Sequence, residues 1–237
     1  MTLFGEIIEP SSRALCDFEE DLDVVPTIDL KWEGLNEPPN TISLLLCAEG
    51  KSSLDLFRKS VLNNARKVCT CQEIGVEIYQ ISLNNEQESL NKYVCLFGNS
   101  NRYNDAEVIE SIRPWIENSK QVVCFLTQKM VEYLTRLSQE KPAILLRMLQ
   151  VSNSNELMDK LPVPILEQPN IITGKLAAVI SYRLHIDKPG TIFICYLDQI
   201  ELDSTTAEPL LSLLNKLNIK TVPYTAGVPK NESNLYL

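Results

Sequence analysis

The hydrophobic pattern of this 237-residue chain predicts an α/β fold, a three-layer sandwich around a mostly parallel central sheet. Three observations carry that expectation. Short apolar, β-prone runs alternate with stretches of helical spacing. The runs read as mostly buried strands, which is what a sheet covered by helices on either side requires. A hydrophobic content of 44% supplies the core that such a sheet needs. Strands joined by helical crossovers pair in parallel, with right-handed connections.

Residues 1–38 read as a flexible acidic arm that ends at Pro38-Pro39; eight of the chain's nine net negative charges fall in it. The body, residues 39–222, opens with a strand over residues 41–47. Leu54, Phe57, Val61 and Ala65 then follow helical spacing, behind Ser52 and Ser53 as candidate caps. Strands are expected over residues 76–83 and 92–97. Asn104 is placed to cap a helix reaching Asn118, with Asp105 and Glu107 favourable in its first turn and Val108, Ile109, Ile112, Trp115 and Ile116 facing inward. Pro114 should bend or split that helix. A strand over 121–126 follows, and the patternless interval 152–164 reads as a loop. A helix is expected from Lys175 to about Ile186, a strand over 191–197, and a last helix over 205–217 with Pro209 in its first turn. Residues 223–237 lack periodicity and are expected to form a mobile tail.

Composition narrows the function. A near-neutral body with an acidic arm lacks the basic stripe that nucleic acid requires, and fits basic protein partners better. The longest apolar run, Ile192 to Leu197, is far short of the roughly 20 residues of a membrane-spanning helix, so no membrane insertion is expected. Met1 to Pro10 has no basic residue ahead of an apolar stretch, so a secretory signal is not expected and the cytoplasm or nucleus is. The seven cysteines are scattered and odd in number, and read as reduced thiols. Cys47, Cys95, Cys124 and Cys195 fall in apolar runs and read as core. Cys69 and Cys71 share a strand face, but no second pair completes a zinc site.

Catalytic constellations are weak. Gly50-Lys51-Ser52 follows a strand and opens a helix, but a phosphate loop needs glycine where Leu45 stands. His185, the single histidine, follows Ser181 by four residues without a nucleophile elbow. Asp198, Glu201 and Asp203 follow a predicted strand at the end where open α/β sheets bind ligands; they suit a magnesium ion or, more often, a turn and a helix start. The alternative reading that they support is a diverged α/β enzyme, hydrolase- or phosphorylase-like, with its ligand near Asp198.

Two further stretches carry a resemblance. The run from Pro164 through Glu167, Gln168, Pro169 and Asn170 to Ile171 is followed by Leu176 to Tyr182 and then by Ile194-Cys195-Tyr196. With Phe4-Gly5-Glu6 near the start and Leu235-Tyr236-Leu237 at the end, these resemble the family of proteasome assembly chaperone 1, which acts on the α ring of the 20S proteasome. The resemblance implies a non-catalytic chaperone without cofactor or metal. It implies pairing with a second, homologous chaperone, and contact with α subunits of the 20S core particle. It also implies that the C-terminal hydrophobic-Tyr-X tripeptide Leu235, Tyr236, Leu237 inserts into a pocket between neighbouring α subunits. Physical chemistry is compatible with that role: the Leu237 carboxylate can pair with a lysine, Tyr236 offers a ring and a hydroxyl, and Leu235 adds apolar area. Such burial yields roughly 2 to 5 kcal/mol before ordering costs, so the peptide needs a docked body to bind well. Glu167 to Asn170 read equally as a family-specific interface or as a structural turn.

Overall fold

The computed structural model describes residues 30–35, 37–81, 91–99, 103–135, 142–151, 161–199 and 201–226; from Lys31 onward these pack as one unit. In chain order the elements are β1 (Glu33–Gly34), β2 (Ile42–Glu49), α1 (Lys51–Leu56), β3 (Arg66–Cys71), β4 (Val76–Ile81), β5 (Lys92–Phe97), α2 (Asp105–Glu117), β6 (Ser119–Lys129), β7 (Ile144–Val151), α3 (Lys175–His185), β8 (Gly190–Leu197) and α4 (Ser204–Lys216). A π-helical stretch, Phe57–Val61, and a 3-10 turn, Leu62–Asn64, prolong α1.

The strands form one sheet in the order β1-β3-β4-β5-β2-β6-β8-β7. Its four central strands, β5, β2, β6 and β8, are mutually parallel, as the alternation of strands and helices predicts. Both flanks are antiparallel: β4, β3 and β1 on one side, β7 on the other. Two residues from the span read as acidic arm, Glu33 and Gly34, form β1.

Alternation along the strands builds two cores. One face presents Leu44, Leu46, Val94, Val123, Phe125 and Phe193 to α1, its π-helical extension and α4. Phe57 meets Phe125 edge-on at 5.4 Å between ring centroids, and Phe125 lies 5.5 Å from Phe193. The other face carries Leu45, Cys47, Tyr93, Cys124 and Ile192 beneath α2 and α3, with Tyr93 edge-on to Trp115 at 5.3 Å. Register sets Cys47 directly between Cys95 and Cys124. Burial raises the Cys95 and Cys124 thiols and pushes Cys195 up to about 12, so these thiols stay protonated and act as small hydrophobes.

Several local expectations are corrected. Ser52 and Ser53 do not cap α1; Gly50 is its N-cap residue, and Thr127 of β6 supplies the missing acceptor, its hydroxyl 3.3 Å from the Ser53 N–H. Gly50 is required there, because its φ is +92° and a Cβ would stand 2.8 Å from Thr127 Oγ1. Pro114 does not split α2. It stands in the last turn, where it removes one backbone bond while Trp115 and Ile116 remain buried. Asn104 does cap α2, with a full capping box to Glu107. Asp203 caps α4 through Thr206, which puts Pro209 in the second turn.

Arg183 of α3 is completely buried, and among the described residues its guanidinium donates to backbone carbonyls. Nη1 donates to the carbonyls of Ile116 (3.0 Å) and Ser119 (2.9 Å), and Nη2 to those of Lys120 (3.1 Å) and Pro189 (2.8 Å); Nε also donates to Pro189 (3.0 Å). Burial pushes the guanidinium down to about 10, which leaves it charged at neutral pH. The side chain ties the negative end of α2 to the start of β6 and to the turn between α3 and β8.

Candidate functional site

β7 is an edge strand whose sequence, Ile-Leu-Leu-Arg-Met-Leu-Gln-Val, contains one charge. Arg147 pairs with Ile194 across the ladder, so it lies on the same sheet face as α3. A charge on a half-buried strand needs a partner, and Glu167 supplies it: Arg147 Nε lies 2.9 Å from both carboxylate oxygens. Tyr133 closes the group, donating from its hydroxyl to Glu167 (3.0 Å) and accepting from Arg147 Nη2 (3.2 Å). Asn170 holds the other end of the segment. Its Oδ1 accepts the Leu134 N–H at 2.8 Å, and its Nδ2 donates to the carbonyls of Leu134 (2.9 Å) and Glu167 (2.8 Å). Between the two clamps the Gln168–Pro169 bond is cis. The hydrogen bonds of Glu167 and Asn170 fasten this turn to β7 and to residues 133–134.

The hydrogen bonds from Arg147 hold the Glu167 carboxyl below the usual carboxylate range. A depressed folded-state value stabilises the protein above the unfolded value near 4.3, and that contribution is lost as pH falls through the folded value. Glu167 is half exposed, so the pair is screened. Glu167→Gln is expected to lower Tm by roughly 2–4 °C at pH 7, with the gap to wild type closing on acidification below about pH 4. Melting curves at the two pH values check this.

Val131, Leu134, Ile165 and Ile171 are 77%, 53%, 72% and 80% exposed. Ile165 bridges Met148 of β7, Ile171 follows Asn170, and Val131 and Leu134 lie before and after Tyr133 in the chain. Backbone pairing at this edge is already satisfied in part. Met148 donates to the Pro164 carbonyl and accepts from Leu166, and the Leu146 carbonyl takes Arg147 Nη1 at 3.0 Å.

A second feature lies at the carboxyl ends of the parallel strands, where an open cleft of about 1250 Å³ is lined by Glu49, Lys51, Asp55, Gly98, Glu201 and Tyr224, among others. The position at which such folds hold a phosphate is filled by the chain itself. Glu49 accepts the Leu176 N–H of α3 at 3.1 Å and lies 3.7 Å from Lys175 Nζ, with its carboxyl raised by burial. The cations lining the cleft are paired: Lys51 with Glu201 (3.0 Å), Arg58 with Glu77 (3.2 Å), and Lys59 with Asp55 (2.8 Å). The Tyr224 hydroxyl donates to Asp55 at 2.5 Å beneath Lys59, and the chain reaches Ala226 at the cleft wall.

Of the residues singled out by sequence, Glu167 to Asn170 are built into the clamped turn. Leu235, Tyr236 and Leu237 lie outside the described residues, as does Cys16. Asp198 is exposed, Glu201 pairs with Lys51, and Asp203 caps α4. His185 ends α3 with its ring 6.3 Å from that of Tyr182. Among the described residues no group of three His, Cys, Asp or Glu side chains is placed to hold a metal ion, and no helix is long and apolar enough to cross a membrane. Sequence reasoning missed Tyr133, Leu134 and Arg147. The lone charge in an apolar run was the signal for Arg147; the other two are tertiary partners without a local signature.

Comparison with known proteins gives a consistent picture. The family model described as Proteasome assembly chaperone 4 matches residues 66–230. Proteasome assembly chaperone 1 of Xenopus laevis is 35% identical over 133 residues, covering 51% of this chain and 45% of that protein. The Mus musculus protein of the same name is 28% identical over 153 residues, covering 60% and 52%. The chain thus spans about half the length of the curated relatives it matches. Among solved structures, Pyrococcus furiosus PbaB, an archaeal proteasome activator, superposes with a TM-score of 0.57 at 10% identity, covering 79% of this chain and 88% of that one. Pyrococcus furiosus PbaA, an archaeal homolog of proteasome-assembly chaperone, gives 0.52 at 13% identity, covering 78% and 81%. At these identities the two superpositions show a shared fold.

Proposed function

Because the chain belongs to the proteasome assembly chaperone family, we propose that it is a non-catalytic chaperone for the α ring of the 20S proteasome, working as a heterodimer with a second, homologous chaperone. The family match over residues 66–230 carries this reading. The paired charges of the cleft favour it over the enzyme alternative, since a phosphate or metal there would have to displace Glu49 or break the Lys51–Glu201 pair. In this reading Leu235, Tyr236 and Leu237 dock between α subunits, and the body supplies the high local concentration that a weak peptide needs. The position of Ala226 at the cleft wall supports an approach from the carboxyl ends of the parallel strands.

The test is co-purification of the full chain with 20S α subunits and the second chaperone, beside a variant lacking residues 235–237 and a Tyr236→Ala variant. Wild type is expected to recover both partners. Deletion should lose most of the α subunits while keeping the second chaperone, and Tyr236→Ala should weaken ring binding by about 1–3 kcal/mol without a change in Tm. Equal recovery of α subunits by all three proteins would remove the tripeptide from the mechanism. Recovery of no proteasome subunit by wild type would remove the reading itself.

A further inference from the structure

The chain leaves α4 at the end of the sheet opposite the cleft. Asn218, just past α4, accepts at its carbonyl from Lys92 Nζ (3.1 Å), and Lys92 opens β5. Phe97, which closes β5, lines the cleft. Residues 219–226 carry the chain back between these two ends as a strap over α1 and its π-helical extension. Ile219 and Tyr224 are buried in the core that α1 and α4 share. Thr221 Oγ1 donates to Asn215 Oδ1 (3.0 Å), and the Val222 N–H donates to the Ser60 carbonyl (2.9 Å). Nearer the cleft, the Tyr224 hydroxyl donates to Asp55 Oδ2 (2.5 Å), and Lys59 pairs with the same oxygen (2.8 Å) while its ammonium stands 5.1 Å from the Tyr224 ring centroid. Ala226 then reaches the cleft wall.

Residues 219–226 belong to no helix or strand, so tertiary contacts fix their course. Where the strap ends decides where everything after residue 226 begins. Eight residues, 227–234, separate that point from Leu235. A coil of that length, of the kind the composition predicts, reaches about 16 Å. With the strap opened from Val222 onward, the tether gains the five residues 222–226, and its origin retreats by about 13 Å toward the other end of the sheet. That retreat is comparable to the reach itself. Effective concentration falls as roughly the −3/2 power of tether length, about 2-fold for this gain, and further where the span outruns the tether.

We propose that Tyr224 is a positioning residue: bonded to Asp55 beneath Lys59, it fastens the strap that delivers the C-terminal tripeptide to the cleft end of the molecule, and so sets the distance from which Leu235, Tyr236 and Leu237 reach the α ring. The inference rests on the tail docking proposed above and extends it, and the experiment separates the two. The phenol acts through the tether, so its removal matters only where the tripeptide is there to be placed. A residue that merely stabilised the body would change ring binding equally with and without the tripeptide.

Affinity for 20S α subunits is titrated for the full chain and for the form lacking residues 235–237. Each is made with the strap intact, with Tyr224→Phe, and with Val222→Pro and Tyr224→Ala together; Tm is recorded, and trypsin cleavage after exposed Lys220 reads strap opening. In the full chain the double variant is expected to be cut faster and to bind about 3- to 10-fold more weakly. Tyr224→Phe keeps the ring packed and stays informative should the double variant fail to fold; it is expected to be cut faster and to bind about 2-fold more weakly. In the shortened form neither change should alter the residual binding. An opened strap with undiminished affinity in the full chain, equal losses in both forms, or unchanged cleavage in both variants overturns the positioning role and leaves tail docking standing. Equal binding by the full and shortened chains with the strap intact removes tail docking, and this inference with it.

Discussion

Replacing Arg183 with leucine is expected to lower stability by about 3–5 kcal/mol, a large share of the roughly 5–15 kcal/mol of a typical domain. The reason is the set of groups left behind. The carbonyls of Ile116, Ser119, Lys120 and Pro189 all accept from one guanidinium, and leucine would leave them facing an apolar wall. Arg183→Lys should lie between leucine and wild type. An ammonium is one point of charge and cannot reach four acceptors spread around a planar fork. Denaturant titrations of the three proteins check the order, and a leucine variant as stable as wild type would show that the carbonyls have other donors.

Phe125→Ala is expected to lower stability by about 3–5 kcal/mol and Tm by roughly 10 °C. Phe125 is buried on β6, where its ring contacts Phe57 of the π-helical stretch on one side and Phe193 of β8 on the other. Truncation removes both aromatic contacts and opens a cavity beneath α1. Phe125→Leu, which fills most of that space, should recover more than half of the loss. Thermal melts of both variants measure the difference.

The central sheet was legible because its strands are apolar on both faces. Residues 92–97 are buried at every position, and the strand has the bounds that the pattern predicts. Of the flanking strands, β4 was expected, over residues 76–83, but β1, β3 and β7 were not, for a reason visible in their composition. β3 begins with exposed Arg66 and Lys67, and β7 is interrupted by Arg147, so neither shows the unbroken apolar run of a doubly covered strand. Caps that rest on neighbours in sequence, such as Asn104 with Glu107, could be read directly. The cap of α1 could not, because its acceptor is Thr127, on a strand encoded much later. The candidate site divides the same way. Glu167 to Asn170 stood out as a family-like motif, but what fastens that motif comes from Tyr133, Leu134 and Arg147, which only the folded chain brings near.

The place of β2 in the sheet has a consequence for how the protein comes into being. β2 is the first long strand encoded, yet both of its neighbours, β5 and β6, are encoded after it. At translation speeds of 5–20 residues per second, the last residue of β6 leaves the peptidyl transferase centre roughly 4 to 16 s after that of β2. Over that interval Leu44, Leu45 and Leu46 have no permanent cover, and each parallel pairing must then close a long loop before any ladder forms. Nascent chains halted before residue 129 are therefore expected to be sticky, protease-sensitive clients of the cell's general folding machinery. A chain of an assembly-chaperone family is thus expected to be a chaperone client itself during synthesis.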